Sequence, residues 1–254
     1  MQTVTLVFQD EPGRLVSASN LVLPRPQGRP ALVVHRLKDP TSVKDLIERL
    51  GVPHCEAGPV FSFATRGDVS LESLTADGDV LEVRGARPRL LPDPRFLCDG
   101  HLGKLARLLR VMGFDTAWDD SWSEARMARR GVNENRTVLS RSRSLLKRAA
   151  MDNAMLIRSA GPDEQAREVI RRFLLADHVR MFGRCSRCNG LLREVPKVEI
   201  AERIPPKTAK WLDTYYLCRE CDQLFWEGTH VTALRLRVEK ILARSAGPDR
   251  PEPS

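Results

Sequence analysis

Four of the six cysteines stand in two C-x2-C pairs, Cys185 with Cys188 and Cys218 with Cys221, separated by 29 residues. Each pair turns two thiolates toward one point, so two such knuckles supply the four tetrahedral ligands of a Zn2+ ion. Four protein ligands leave no open coordination position, which makes the expected zinc structural. Reduced free thiols are the plain alternative. His230 reads as a packing or surface residue rather than a fifth ligand, and the isolated Cys55 and Cys98 read as packing residues. A second group with chemistry in it is acidic: Asp99, Asp119, Asp120 and Glu124. If they follow neighbouring parallel strands, they converge on one crevice and can hold Mg2+ or Mn2+, which activates water for phosphodiester hydrolysis. Ordinary solvated strand ends are the competing reading.

Cations surround the same stretch. Lys104, Arg107 and Arg110 recur every three residues, and Arg141, Arg143, Lys147 and Arg148 cluster further on. Both groups can neutralise phosphates, with binding that weakens steeply in salt; a solvated helix face is the alternative. The chain carries 41 Lys and Arg against 33 Asp and Glu, a formal charge of +8. Residues 1–90 hold 11 of each sign, so 30 basic and 22 acidic side chains, and the whole surplus, lie beyond them. Such a localised surplus suits a polyanionic partner, RNA above all. Trp118, Trp122, Trp211 and Trp226 could stack on bases, although core or hairpin packing is the favoured reading of each.

The elements that must position these groups are legible by periodicity. Thr3–Phe8 alternates as a strand and Leu32–Arg36 is a second candidate. Val43, Leu46, Ile47 and Leu50 make one helical face, opened by Ser42 with Asp45 and closed by Gly51. Val80–Val83 follows an Asp-Gly-Asp turn as a strand. This order predicts an α+β roll over residues 1–84, and residues 85–94, with three prolines, read as a stiff linker. From 95 to 180 strand and helix alternate: strands at Arg95–Cys98, Phe114–Trp118, Thr137–Leu139 and Ala154–Arg158, with helices between them, one opened by Ser121 with capping-box spacing to Glu124 and one over Ser144–Met151. A helix from Pro162 to about Leu175 closes the series. Repeated βα units imply a parallel sheet with functional groups at the carboxyl ends of its strands. Residues 181–243 hold the cysteines, a hairpin and a final helix, and 244–254 read as a disordered tail.

At 254 residues, 42% hydrophobic and 29% charged, the composition argues against wholesale disorder. No strictly apolar run exceeds four residues, which excludes a spanning helix, and no membrane partner is expected. The start MQTVTLVFQDEPG lacks a basic region followed by an apolar one, so a cytoplasmic location is expected.

Residues 96–116, FLCDGHLGKLARLLRVMGFDT, resemble the opening of the Mut7-C ribonuclease domain, and RTVLSRSRSLLKR (136–148) resembles its second signature. The paired C-x2-C motifs with FWEGTH resemble its zinc-ribbon end, and SVKDLIERLGVPH with DGDVLEVRG resembles the ubiquitin-like β-grasp domain that precedes it. The resemblance implies a β-grasp domain, a PIN-like α/β domain with a parallel sheet, and a zinc ribbon. It implies a metal-dependent RNA endonuclease in which Asp99 is the first metal-binding acid. Its expected partners are a structured RNA, tRNA or the ribosome, with a protein partner for the β-grasp domain. A sulfur-carrier role is not expected, because the chain runs on through Gly85 instead of ending in Gly-Gly.

One position departs from the pattern. The second signature usually reads T-R-D, with the Asp a metal ligand, whereas this chain has Ser140-Arg141-Ser142. A neutral hydroxyl is a poor Mg2+ ligand. Substitution by another acid (Asp152 or Asp163), weakened turnover, or a non-catalytic RNA- or ribosome-binding protein would each accommodate it. A protein-docking module on a scaffold is a further reading. Asp99 and Ser142 are expected to face each other at neighbouring strand ends.

Overall fold

The computed structural model describes residues 1–21, 29–148, 151–204 and 212–245. In chain order its first elements are β1 (Gln2–Phe8), α1 (Asp10–Leu15), β2 (Ala31–Leu37), α2 (Val43–Arg49), β3 (Ala57–Ser62), β4 (Gly67–Val69) and β5 (Val80–Gly85). There follow β6 (Arg95–Cys98), α3 (Gly103–Val111), β7 (Asp115–Trp118), α4 (Glu124–Asn133), β8 (Thr137–Ser140), α5 (Arg143–Leu146) and β9 (Ala154–Leu156). The last are α6 (Pro162–Arg172), β10 (Leu192–Val195), β11 (Tyr215–Cys218), β12 (Leu224–Trp226) and α7 (Thr229–Ala243). Among the described residues no helix is long and apolar enough to cross a membrane. Trp211 and residues 246–254 of the expected tail lie outside the described residues.

The chain forms two compact units, each discontinuous in sequence. The first comprises Met1–Arg87, Glu124–Glu134 and Ser140–Leu156. Its sheet runs β2-β1-β5-β3-β4, with β1 antiparallel to β2 and parallel to β5. The alternation read in β1 is real: Val4, Leu6 and Phe8 are fully buried. The apolar face of α2, Val43, Leu46 and Ile47, is buried as well, each such side chain contributing about 1.5–3 kcal/mol. The Ser42 hydroxyl accepts the Asp45 amide at 3.0 Å and caps the helix, and Leu50, just past the helix end, is also buried. This is the β-grasp arrangement.

The later segments of the first unit are tied to that domain by polar contacts. Glu56, 5% exposed, accepts the Leu156 amide at 2.8 Å. The Arg143 guanidinium donates to the Leu15 carbonyl at 3.0 Å. His54, 3% exposed, has Nδ1 2.5 Å from a Glu48 carboxylate oxygen. Its Nε2 lies 3.1 Å from Asp152, within ion-pair distance but without hydrogen-bond geometry.

The second unit comprises Pro88–Ser123, Asn135–Leu139 and Ile157–Ser254. In it β6 pairs in parallel with β7 on one side and β8 on the other. Phe96, Leu97 and Cys98 are fully buried, so β6 is the central strand that the apolar run predicts. Between β6 and β7, α3 buries Leu105, Ala106, Leu108 and Leu109, and α6 packs against it. Gly113 ends this βα unit at φ +96°, and a side chain there would collide with the Arg180 carbonyl. The strands β10-β11-β12 form an antiparallel meander, with β11 and β12 the expected hairpin. Its core holds Val195, Ile200, Ile204, Leu212, Tyr215 and Leu224, with Trp226 packed against it.

Two elements differ from the sequence reading. The helix expected from Ser121 begins at Glu124, because the Ser121 amide and hydroxyl turn back onto Asp119 at 2.9 and 2.6 Å. The helix expected over 144–151 is the single turn Arg143–Leu146, capped by Ser142.

Candidate functional site

The four paired cysteines meet. Their sulfur atoms all lie within 4.8 Å of one another, with Cys185–Cys221 at 3.7 Å and Cys188–Cys218 at 3.4 Å. A tetrahedron with Zn–S bonds of ~2.3 Å has edges of about 3.8 Å, so the donor set and spacing fit a zinc ion. The knuckles are shaped by local backbone: Asn189 and Asp222, each following its C-x2-C motif, adopt φ of +74° and +55°. The Gly190 and Glu220 amides donate to Cys188 and Cys218 sulfurs, each at 3.4 Å. Such donation favours thiolate. Burial raises the Cys218 thiol, but amide and thiol donors outweigh it and bring the pKa down to about 7, whereas burial and the neighbouring sulfurs push Cys188 up to about 12 despite its amide donor.

The first knuckle is bolted to the start of β7. Asn189 donates to the Asp115 carboxylate at 2.8 Å and accepts the Thr116 amide at 2.9 Å. Asp115 also receives Arg136 at 2.6 Å and lies 3.3 Å from Arg184. Burial raises its pKa, yet Arg136, Asn189 and Arg184 together hold it below the usual carboxylate value. Arg110 is 4% exposed, and its guanidinium donates to the Thr116, Arg187 and Ser186 carbonyls at 2.8, 2.9 and 3.3 Å. Of the triplet on α3, Lys104 and Arg107 are exposed while Arg110 braces the knuckle from inside.

Asp99 follows β6 and is 3% exposed. Its carboxylate accepts the His101 amide at 3.0 Å, capping the short turn Gly100–Leu102 that leads into α3. Its own amide donates to the Leu139 carbonyl at 3.1 Å, continuing the sheet ladder. The ends of β6 and β7 approach closely: a Cβ on Gly100 would lie 3.4 Å from the Asp120 backbone. One on Gly103 would press into the Trp118 ring at 2.7 Å, and Trp118 donates from Nε1 to the Gly100 carbonyl at 3.3 Å. Asp119 and Asp120 therefore emerge beside the turn that Asp99 caps, the one half-buried and the other exposed.

Glu124 and Ser142 belong to the first unit. The Ser142 hydroxyl donates to Glu124 Oε1 at 2.7 Å, and the Ser144 hydroxyl reaches the same oxygen at 3.0 Å. Arg148 stands 3.7 Å from Oε2. The Ser142 hydroxyl above all, joined by the Ser144 hydroxyl and Arg148, outweighs the upward push of burial and sets the Glu124 carboxyl below its ordinary value. Ser142 Oγ also accepts the Leu145 amide at 3.3 Å as the cap of α5. Lys147 is half-buried, and Arg141, Arg143 and Arg148 are exposed. The alternative acids are engaged elsewhere, Asp152 with Lys44 at 3.5 Å and Asp163 with Arg237 at 2.6 Å. Trp122 is half-buried, and Cys55 and Cys98 are buried. Sequence reasoning missed Asp115, Arg136 and Ser144. Nothing local marks the first two, whereas Ser144, two residues beyond Ser142 at the start of a helix, was a readable cap neighbour.

Two family models match in tandem: one described as Mut7-C ubiquitin over residues 14–90, and one described as Mut7-C RNAse domain over residues 94–238. No curated protein and no solved structure matches the chain.

Proposed function

The chain belongs to the Mut7-C RNAse domain family, and on that premise we propose that it is a metal-dependent RNA endonuclease of PIN-like type. The observation that carries this reading is Asp99, a nearly fully buried carboxylate at the carboxyl end of the central parallel strand. Asp119 and Asp120 leave the adjacent strand beside the turn that Asp99 caps, and carboxylates are the donors that Mg2+ and Mn2+ take, although among the described residues the only group of three or more ligand side chains already gathered is the four cysteines. A divalent ion, when bound, supplies charge stabilisation and a water of lowered pKa. Lys104 and Arg107, exposed on the helix that Asp99 introduces, steady the phosphate. Arg141, Arg143, Lys147 and Arg148 extend the cationic surface of the first unit. The four thiolates hold zinc as a brace, and the β-grasp domain offers a surface for a protein partner.

A specific observation supports a second reading, a protein that binds RNA or the ribosome without cleaving it. Glu124 is occupied by two hydroxyls and a guanidinium, and an uncharged Ser142 stands where the family pattern has an acid. Incubation of the purified chain with labelled structured RNA and Mn2+ separates the two. Cleavage that Asp99→Asn abolishes supports the nuclease, and salt-sensitive binding of intact RNA supports the binder.

A further inference from the structure

Residues 1–90 carry balanced charge, 11 basic and 11 acidic side chains, but the balance is uneven in space. At the end of β2 and the last turn of α2 a shallow cavity of about 350 Å³ is walled by His35, Arg36, Lys38 and Arg49, with Asp39 its single carboxylate. Among the described residues, none of these four cationic or titratable side chains makes a hydrogen bond or an ion pair. Other cations of the same domain are answered: Arg14 by Glu11 at 2.8 Å, Arg84 by Glu82 at 3.0 Å, and Lys44 by Asp152 at 3.5 Å. The acid nearest in sequence to Arg49, Glu48, is taken by His54.

We propose that this cavity binds backbone phosphates of RNA, so that the β-grasp domain itself grips the substrate of the proposed nuclease. The inference rests on that functional reading and extends it to a surface outside the acidic residues. Uncompensated cations around one concavity repel one another in the free protein, and a chain of phosphates relieves that repulsion while releasing its counterions. β2 is the edge strand of its sheet, which leaves this flank open to a long ligand. Leu32 and Val34, 39% and 46% exposed, share the outward face of β2 with Arg36. They put apolar surface for bases beside cations for phosphates, a combination that single-stranded RNA uses and inorganic phosphate does not.

The test measures binding of the full chain to a labelled, unstructured RNA in EDTA, by anisotropy across a salt series. The triple variant Arg36→Ala, Lys38→Ala, Arg49→Ala is expected to bind about tenfold more weakly and to flatten the log–log salt slope by about 2, the loss of three phosphate contacts. The control triple Arg14→Ala, Arg66→Ala, Arg84→Ala removes equal charge elsewhere in the domain and should change affinity by less than about threefold. Arg36→Lys with Arg49→Lys should retain binding, since both exposed positions keep their positive charge. Wild-type affinity in the first triple, or an equal loss in the control, overturns the inference and leaves the nuclease reading intact. Inorganic phosphate that erases the difference at constant ionic strength overturns the assignment to RNA. A wild-type chain with no RNA affinity overturns both readings together.

Discussion

Ser142 donates its hydroxyl proton to the carboxylate of Glu124 across 2.7 Å. At that separation a second carboxylate would be repelled strongly enough to protonate, or would share a cation. The serine removes the conflict: it stabilises a charged Glu124 without help from an ion. It also caps α5, so one side chain serves both the local helix and the acid.

Restoring the acid makes the pair depend on metal. Ser142→Asp should lower stability by about 1–2 kcal/mol in EDTA, from like-charge repulsion at near contact, while the Asp still caps the turn. Mn2+ should recover the loss in the variant and leave wild type unmoved in thermal melts. Equal responses of the two proteins would show that no cation site had been created.

Asp99→Asn keeps an oxygen that accepts the His101 amide, so the cap and the fold should persist. Cleavage should fall by about 10²–10³ or more, the usual cost of removing one electrostatic group from a reaction centre, with RNA affinity largely kept. Single-turnover rates with Mn2+ measure this; an unchanged rate would move the chemistry away from Asp99.

Native mass spectrometry should find one zinc ion per chain, lost in Cys218→Ser. Because Asn189 and Arg110 join the first knuckle to Thr116 at the start of β7, the damage should not stay local. A fall in Tm of at least about 10 °C is expected for the zinc-free chain, and a melting curve that ignores the metal would separate the knuckle from the sheet.

Asp115 gives a pH signature. Its folded-state pKa lies below the ordinary 3.8, so the stability it contributes is complete above that value and is lost as pH falls through the lowered one. Asp115→Asn should therefore cost about 2 kcal/mol near pH 7, less than a fully buried pair because the site is 15% exposed. The gap from wild type should narrow below about pH 4. Denaturant midpoints of both proteins at several pH values test the sign, and a gap that widens in acid would contradict it.

Local spacing carried much of this molecule. The C-x2-C pairs predict four converging sulfurs because each knuckle is a short-range turn. The alternation in β1 and the stripe on α2 predict a buried sheet and helix because periods of two and 3.6 decide which side chains face a core. Asp99 at the end of β6 was legible for the same reason. Tertiary structure alone decided the fates of residues that look alike in sequence. Arg107 and Arg110 belong to one basic helix face on paper, yet the carbonyls of the cysteine knuckle, over seventy residues away, draw Arg110 into the interior. Glu124 reads as a free acid until Ser142 and Ser144 fold over it. Long-range partners leave no trace in local periodicity, because the hydrogen bond that selects them exists only after the chain has closed.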